Sequence, residues 1–383
     1  MTVEMTPSSS STHAPPEDPV GPDGQLEVEP LADGEPTEPT VAGMPAWLVG
    51  AGRALLAVLG ALVVFAVFMM IKGANPLDAY RDMFVSTFSN PKQIGEIFIR
   101  GTPIILAALA VTVPARAGLI NVGGEGQLFI GGVAAAGVSL GLGTSVPPAL
   151  VFVVMFLAAA LAGAVWASIA ALLRLWVGIN ESVTTLLMNY IATDILLFLI
   201  YEPWKDKNGS GQPATPALPV AERLPLLGIG RVHAGIIIAV VAAVLVWLAF
   251  KRTSWGFRLG VVGGNPEAAR RAGLRVGVLL VSAMAIGGAL AGLGGLAQLA
   301  GTEFKLRPGF LVMYGYIGFL ASWLARHRPI PVVLSALLLS AIAIGGDSLQ
   351  LDSALPAATV NILMALVLLA VFGFAGARKK AAA

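Results

Sequence analysis

Asn121, Glu125 and Gln127 stand within six residues of one another in PARAGLINVGGEGQLFIGG, residues 114–132, between two apolar runs. The glycines around them suit a broken helix whose freed backbone lines a cavity, where amides and a carboxyl would hold a polar solute. A plain connecting turn marked by Arg116 is the competing reading. A second polar set lies in NESVTTLLMNYIATDILLFLI, residues 180–200. Asn180 is placed to cap a helix starting at Glu181, and Thr184, Thr185, Asn189 and Asp194 follow within the apolar stretch. Asp194 is the one carboxylate clearly inside a span. An ionisable group at bilayer depth faces an interior or a pathway, or is satisfied by a neighbouring helix. Thr184, Thr185 and Asn189 serve equally as helix-to-helix hydrogen-bonding residues.

The third group is FRLGVVGGNPEAARRAGLR, residues 257–275. Asn265 is a good N-cap, Pro266 fits the first helical position and Glu267 complements the helix dipole. Arg270 and Arg271 fall in the last turn and Gly273 stands where a left-handed residue ends a helix. About two turns are predicted, Pro266 to Ala272.

Other chemistry is missing from the sequence. There is no cysteine and there are three histidines, His13, His233 and His327, so thiol catalysis, disulfides and cysteine metal sites are excluded. No GxxxxGK[ST], GxSxG or HExxH motif occurs, which leaves no catalytic residues, no metal ligands and no cofactor to assign, and no ATP hydrolysis by this chain itself. The basic loops are too short and too poor in aromatics for nucleic acid.

The elements that must position these residues are membrane helices. Hydrophobic residues make up 56% of the chain and charged ones 12%, with a mean hydropathy of +0.82. That composition belongs to an all-α, polytopic membrane protein. Residues 1–45 are rich in Pro, Ser, Thr, Glu and Gly and read as a disordered acidic cytoplasmic tail. They are followed by a transmembrane domain over 46–383. Without a secretory signal at the N-terminus, the first span is expected to direct insertion.

About ten spans are expected, at 49–71, 96–113, 123–141, 148–173, 184–201, 234–250, 276–300, 310–325, 330–345 and 356–376. Glycine and proline interrupt the second, third and eighth. The seventh, SAMAIGGALAGLGGLAQLAG, repeats small residues every three or four positions and reads as a packing face rather than a nucleotide loop. With both termini inside, fourteen Lys and Arg lie on the cytoplasmic side and ten on the other, as the positive-inside rule requires. The connection at 257–275 is then cytoplasmic. The long outer loop after residue 201, rich in Gly, Pro and Ser, is expected to be irregular surface structure.

GLINVGGEGQLFIGG, NESVTTLLMNYIA and GFRLGVVGGNPEAARRAGL resemble, in order and spacing, the permease subunits of bacterial ABC importers for nucleosides and simple sugars. The resemblance runs from about Leu48 to Phe374. The outer loop and the Asn180–Glu181 pair look more like the nucleoside permeases than the ribose ones. It implies a multi-pass permease in the cell membrane that moves nucleosides inward, is not an enzyme, and is powered by a separate ABC ATPase. The implied partners are that ATPase, a second, different but similar permease, and an extracytoplasmic substrate-binding lipoprotein. The mini-helix at about 265–272 would be the coupling helix, with Gly264, Asn265, Pro266, Glu267, Ala268, Arg270, Arg271 and Gly273 meeting the ATPase. Asn121, Glu125, Gln127, Thr184 and Asn189 would lie on the substrate pathway. The acidic tail and Asp194 depart from the family pattern. Sugar or branched-chain amino-acid transport by the same architecture is the nearest alternative; a proton-coupled carrier using Asp194 and a membrane scaffold that transports nothing are the readings from other classes.

Overall fold

A computed structural model describes residues 46–209, 211–352, 359–367 and 369–370. The tail expected over 1–45 and parts of the tenth expected span, 356–358, 368 and 371–376, lie outside these described residues. Two units are distinguished, 1–52 and 53–383, and apart from the first residues of the first helix the features below belong to the second. Apart from one antiparallel bridge between Leu226 and His233, the elements among the described residues are helical.

Helix α1 (Ala46–Ile71) is followed after a sharp bend of 117° by α2 (Pro76–Phe88), which Asn75 caps by accepting from Leu77 N. It occupies the connection between the first two expected spans. Then come α3 (Pro91–Ala115), α4 (Gly124–Leu142), α5 (Pro148–Val177), α6 (Glu181–Tyr201), α7 (Gly235–Arg252), α8 (Ser254–Gly264), α9 (Pro266–Arg271), α10 (Val276–Gln298), α11 (Tyr314–Leu324) and α12 (Pro329–Asp352). Residues 359–367 are also helical. Among the described residues seven helices are long and apolar enough to cross a membrane, or eight if the bent α1–α2 pair is one span. The span expected over 310–325 is a helix of eleven residues, α11, preceded by irregular backbone.

The second expected span is not broken. Pro103 and Pro114 both lie inside α3, yet the helix runs continuously for 25 residues. Every residue from 101 to 114 is buried, so neighbouring helices enclose α3 on all sides, and such packing lets membrane helices keep an interior proline. The break falls instead at 116–123, between α3 and α4.

Helix α10 crosses α5 on its glycine face, as its small-residue repeat predicts. A Cβ on Gly288 would land on the carbonyl of Gly163, one on Gly292 on that of Ala159, and one on Gly295 on that of Leu128 in α4. The two backbones therefore touch directly, which only residues lacking a side chain permit. Gly288→Leu is expected to destabilise the folded protein by about 3 kcal/mol or more, read as a lower melting temperature in detergent and less protein in membranes. Gly60→Leu, at a position with nothing within 4 Å, should leave both unchanged. On the opposite flank of α5, Leu150, Val153, Leu157, Leu161 and Val165 are exposed at three- and four-residue spacing, an apolar stripe suited to lipid.

Candidate functional site

Two interruptions of the helical bundle meet at one point. The stretch 116–123 leads from the end of α3 to the start of α4, and the stretch 304–313 leads from the far end of α10 to the start of α11. The depth of the meeting point is set by Asn189 in α6. It lies eight residues after the helix start at Glu181, roughly 12 Å along a helix roughly 30 Å long, and its side-chain oxygen accepts from Gly126 N of α4 at 2.8 Å.

Two helix N-termini brought together present unpaired N–H groups and two positive dipole ends. Glu125 answers both. One of its carboxyl oxygens accepts from Met313 N and the other from Gly315 N, each at 2.6 Å. Its side chain is only 5% exposed. Close approach is possible because residue 315 is glycine: a Cβ there would overlap the backbone of Glu125.

The amides predicted from sequence join this junction as its frame. Asn121 and Gln127 exchange two hydrogen bonds, Nδ2 to Oε1 at 3.0 Å and Nε2 to Oδ1 at 2.9 Å. Asn121 also donates to the Ala110 carbonyl of α3 and accepts from Gly123 N. Asn189 Nδ2 donates to the Val122 carbonyl and to Tyr316 Oη in α11. All four side chains, with Glu125 among them, are buried and bonded to protein. Thr184 is buried too but stands apart, its hydroxyl donating to the Asn180 carbonyl one turn back.

Two more residues of α6 complete this frame: Thr185, which the sequence marks as a helix-to-helix hydrogen-bonding residue, and Glu181 at the helix start. Thr185 Oγ1 accepts from Val122 N, and Glu181 accepts from Ile120 N while pairing with Arg174. Asn180 caps α6 as predicted, accepting from Ser182 N. Residues 120–122 thus run alongside α6, and α6 side chains supply the bonds that a helix would have made internally.

The irregular loop 202–233 is more than surface structure. Ala214, Thr215, Leu218, Glu222, Leu224 and Val232 are buried, and the loop backbone bonds to 300–306 through Thr215 N to Leu306 O, Leu218 N to Phe304 O and Leu224 N to Ala300 O. It covers the wide π-helical turn, Leu299–Glu303, that ends α10. His233 packs against Gly301, where a Cβ would strike the imidazole ring. Its Nδ1 accepts from Gly235 N and its Nε2 meets Thr302 Oγ1. Burial lowers its pKa to about 4, so it is neutral at physiological pH.

At the opposite end, the predicted mini-helix is present as α9. Asn265 accepts from both Glu267 N and Ala268 N, and Gly273 takes the left-handed conformation at φ +80°. Glu267 bridges Arg270 at 2.6 Å and Arg271 at 3.3 Å. Only Ala269 of the helix is buried. Helix α8, unforeseen from sequence, precedes it, capped by Thr253. Its Gly263 rests on the backbone of Arg116 to Gly118, where the break before α4 begins, and Arg116 lies over the Phe250 ring of α7. A cleft of about 400 Å³ opens between Arg174, Gly263, Arg270 and Val276.

A family model described as "Branched-chain amino acid transport system / permease component" matches residues 93–372. A glucose ABC transporter permease of Haloferax volcanii is 37% identical over 85% of this chain and 88% of its own length. A guanosine ABC transporter permease of Bacillus subtilis is 32% identical over 82% and 91%. A second guanosine ABC transporter permease of Bacillus subtilis is 27% identical over 73% and 90%.

Proposed function

The chain belongs to the permease-component family of branched-chain amino acid transport systems and is a membrane-spanning subunit of an ABC importer; we propose that it carries nucleosides, or a related sugar-containing solute, into the cell. ATP hydrolysis belongs to a separate ATPase subunit. The observation that carries the cargo is the chemistry shared by the similar relatives: one is named for guanosine and one for glucose, and both solutes contain a polyhydroxylated ring. The branched-chain amino-acid alternative rests on the description of the family alone.

Two permeases named for guanosine in one organism, at 32% and 27% identity to this chain, support a partner permease that is similar but different. An extracytoplasmic substrate-binding lipoprotein completes the assembly in this reading. The side carrying α8 and α9 is cytoplasmic by the charge rule, and α9 is the coupling helix. It is capped at both ends, exposed along its length and joined through α8 to the break before α4, as an element that passes ATPase closure into the membrane must be. Asn121, Glu125, Gln127 and Asn189 act on the pathway by fixing the junction of α4 and α11, while Thr184, bonded within α6, stands outside that junction.

Uptake in cells deleted for this chain tests the cargo. Uptake of labelled guanosine or glucose should be lost on deletion, be competed by the unlabelled solute and not by leucine, and persist under a protonophore while ATP is maintained. Competition by leucine would move the cargo to amino acids. Collapse under the protonophore at constant ATP would mean a proton-coupled carrier.

A further inference from the structure

The buried face of α6 holds the junction; its other face is uncovered among the described residues. Val183, Leu187, Tyr190, Ile191, Asp194, Phe198 and Tyr201 are exposed and recur at three- and four-residue spacing, so they form one stripe. Asp194 lies in the middle of it, thirteen residues from the inner end of α6 and seven from the outer end, well within the hydrocarbon depth. A short carboxylate at that depth does not face lipid tails: it lines a water-filled space or meets a polar group.

A second observation points to the same space. Val312 and Met313 are exposed in backbone that is not helical and turns through left-handed residues at Leu311 and Met313. Met313 is at the depth of Glu125, which bonds its N–H. Irregular backbone at bilayer depth occurs where it is buried in protein or borders water, and not against lipid. The two surfaces adjoin, because Asn189 of α6 bonds Tyr316 Oη of α11 at 3.2 Å, and Tyr190 stands next to Asn189 in the chain.

We propose that the outward face of α6 around Tyr190 and Asp194, together with Met313 and Tyr316 at the start of α11, is the water-lined wall along which the solute passes. The chemistry fits a polyhydroxylated ring: the tyrosine rings offer flat apolar faces for C–H groups or a base, and Asp194 accepts from hydroxyls. This rests on the importer reading for the solute, but not for the wetness of the wall. Solute contact then falls on exposed residues of α6 and α11 rather than on the buried amides.

The chain contains no cysteine, so single cysteines report without background from it. Tyr190→Cys, Asp194→Cys and Met313→Cys would be made in the whole importer and treated, in right-side-out and inside-out vesicles, with a charged, membrane-impermeant methanethiosulfonate. Leu161→Cys on the exposed apolar stripe of α5 and Lys207→Cys in the long loop serve as dry and wet references. The three test sites should react at least tenfold faster than Leu161→Cys from one face or the other, and saturating guanosine or glucose should slow them at least fivefold. Reaction as slow as at Leu161→Cys would overturn the wall, and fast reaction that neither solute slows would overturn its contact with solute. Failure of the wild-type importer to take up either solute would instead count against the cargo. Asp194→Leu should raise KM about tenfold and Asp194→Asn should restore most of it; an unchanged KM in Asp194→Leu removes that residue from the wall.

Discussion

Glu125→Gln is expected to abolish uptake and to lower the stability of the purified importer by about 2–4 kcal/mol, although it exchanges a single oxygen for nitrogen. Both carboxyl oxygens accept backbone N–H groups, from Met313 and Gly315. An amide keeps one acceptor and turns a donor toward the other N–H. A buried donor left unpaired costs roughly 1–3 kcal/mol, and the hydrogen bond lost with it contributes about 1 kcal/mol more. Melting temperature and uptake at matched membrane abundance check the prediction. Glu125→Asp keeps both oxygens on a shorter side chain and should fall between wild type and the glutamine variant. A glutamine variant that melts like wild type would mean that the carboxylate does not hold the junction.

The second large effect is functional rather than structural. Deleting residues 265–272 should leave the spans inserted and the ATPase active, with uptake reduced at least a hundredfold. Asn265→Ala is the milder form. It removes the acceptor for Glu267 N and Ala268 N, a loss of about 1 kcal/mol in a six-residue helix too short to persist on propensity alone. ATP hydrolysis and uptake measured in the same proteoliposomes should show hydrolysis that solute no longer stimulates. Normal coupling in the deletion would transfer the role away from α9.

Local chemistry was legible in the sequence where the partner lies within a few residues. Asn265, Gly273 and Asn180 end or begin helices as their types require, and the glycines of α10 mark its contact face. The amides at 121, 127 and 189 were recognisable as a group because few polar residues interrupt the apolar runs. Their bonding was not legible, since Glu125 meets Met313 and Gly315 across nearly half the chain. Helix α8 escaped notice because its glycines, at 256, 260, 263 and 264, argue against a helix. Packing overrides them: Gly256 lies against Ala249 and Gly263 against Arg116. The same override keeps α3 continuous through Pro103.

The span between Glu125 and its partners also sets a schedule for biogenesis. Met313 and Gly315 follow it by 188 and 190 residues, which at about 5–20 residues per second is roughly 10–40 s of synthesis. During that interval the start of α4 lacks its ligands at the ribosome-bound stage, and the membrane holds an ionisable side chain with its final hydrogen bonds still unmade. The last polar bonds of an early span therefore close only when a late half-span arrives, so chains cut short before residue 313 carry this vulnerable site to quality control.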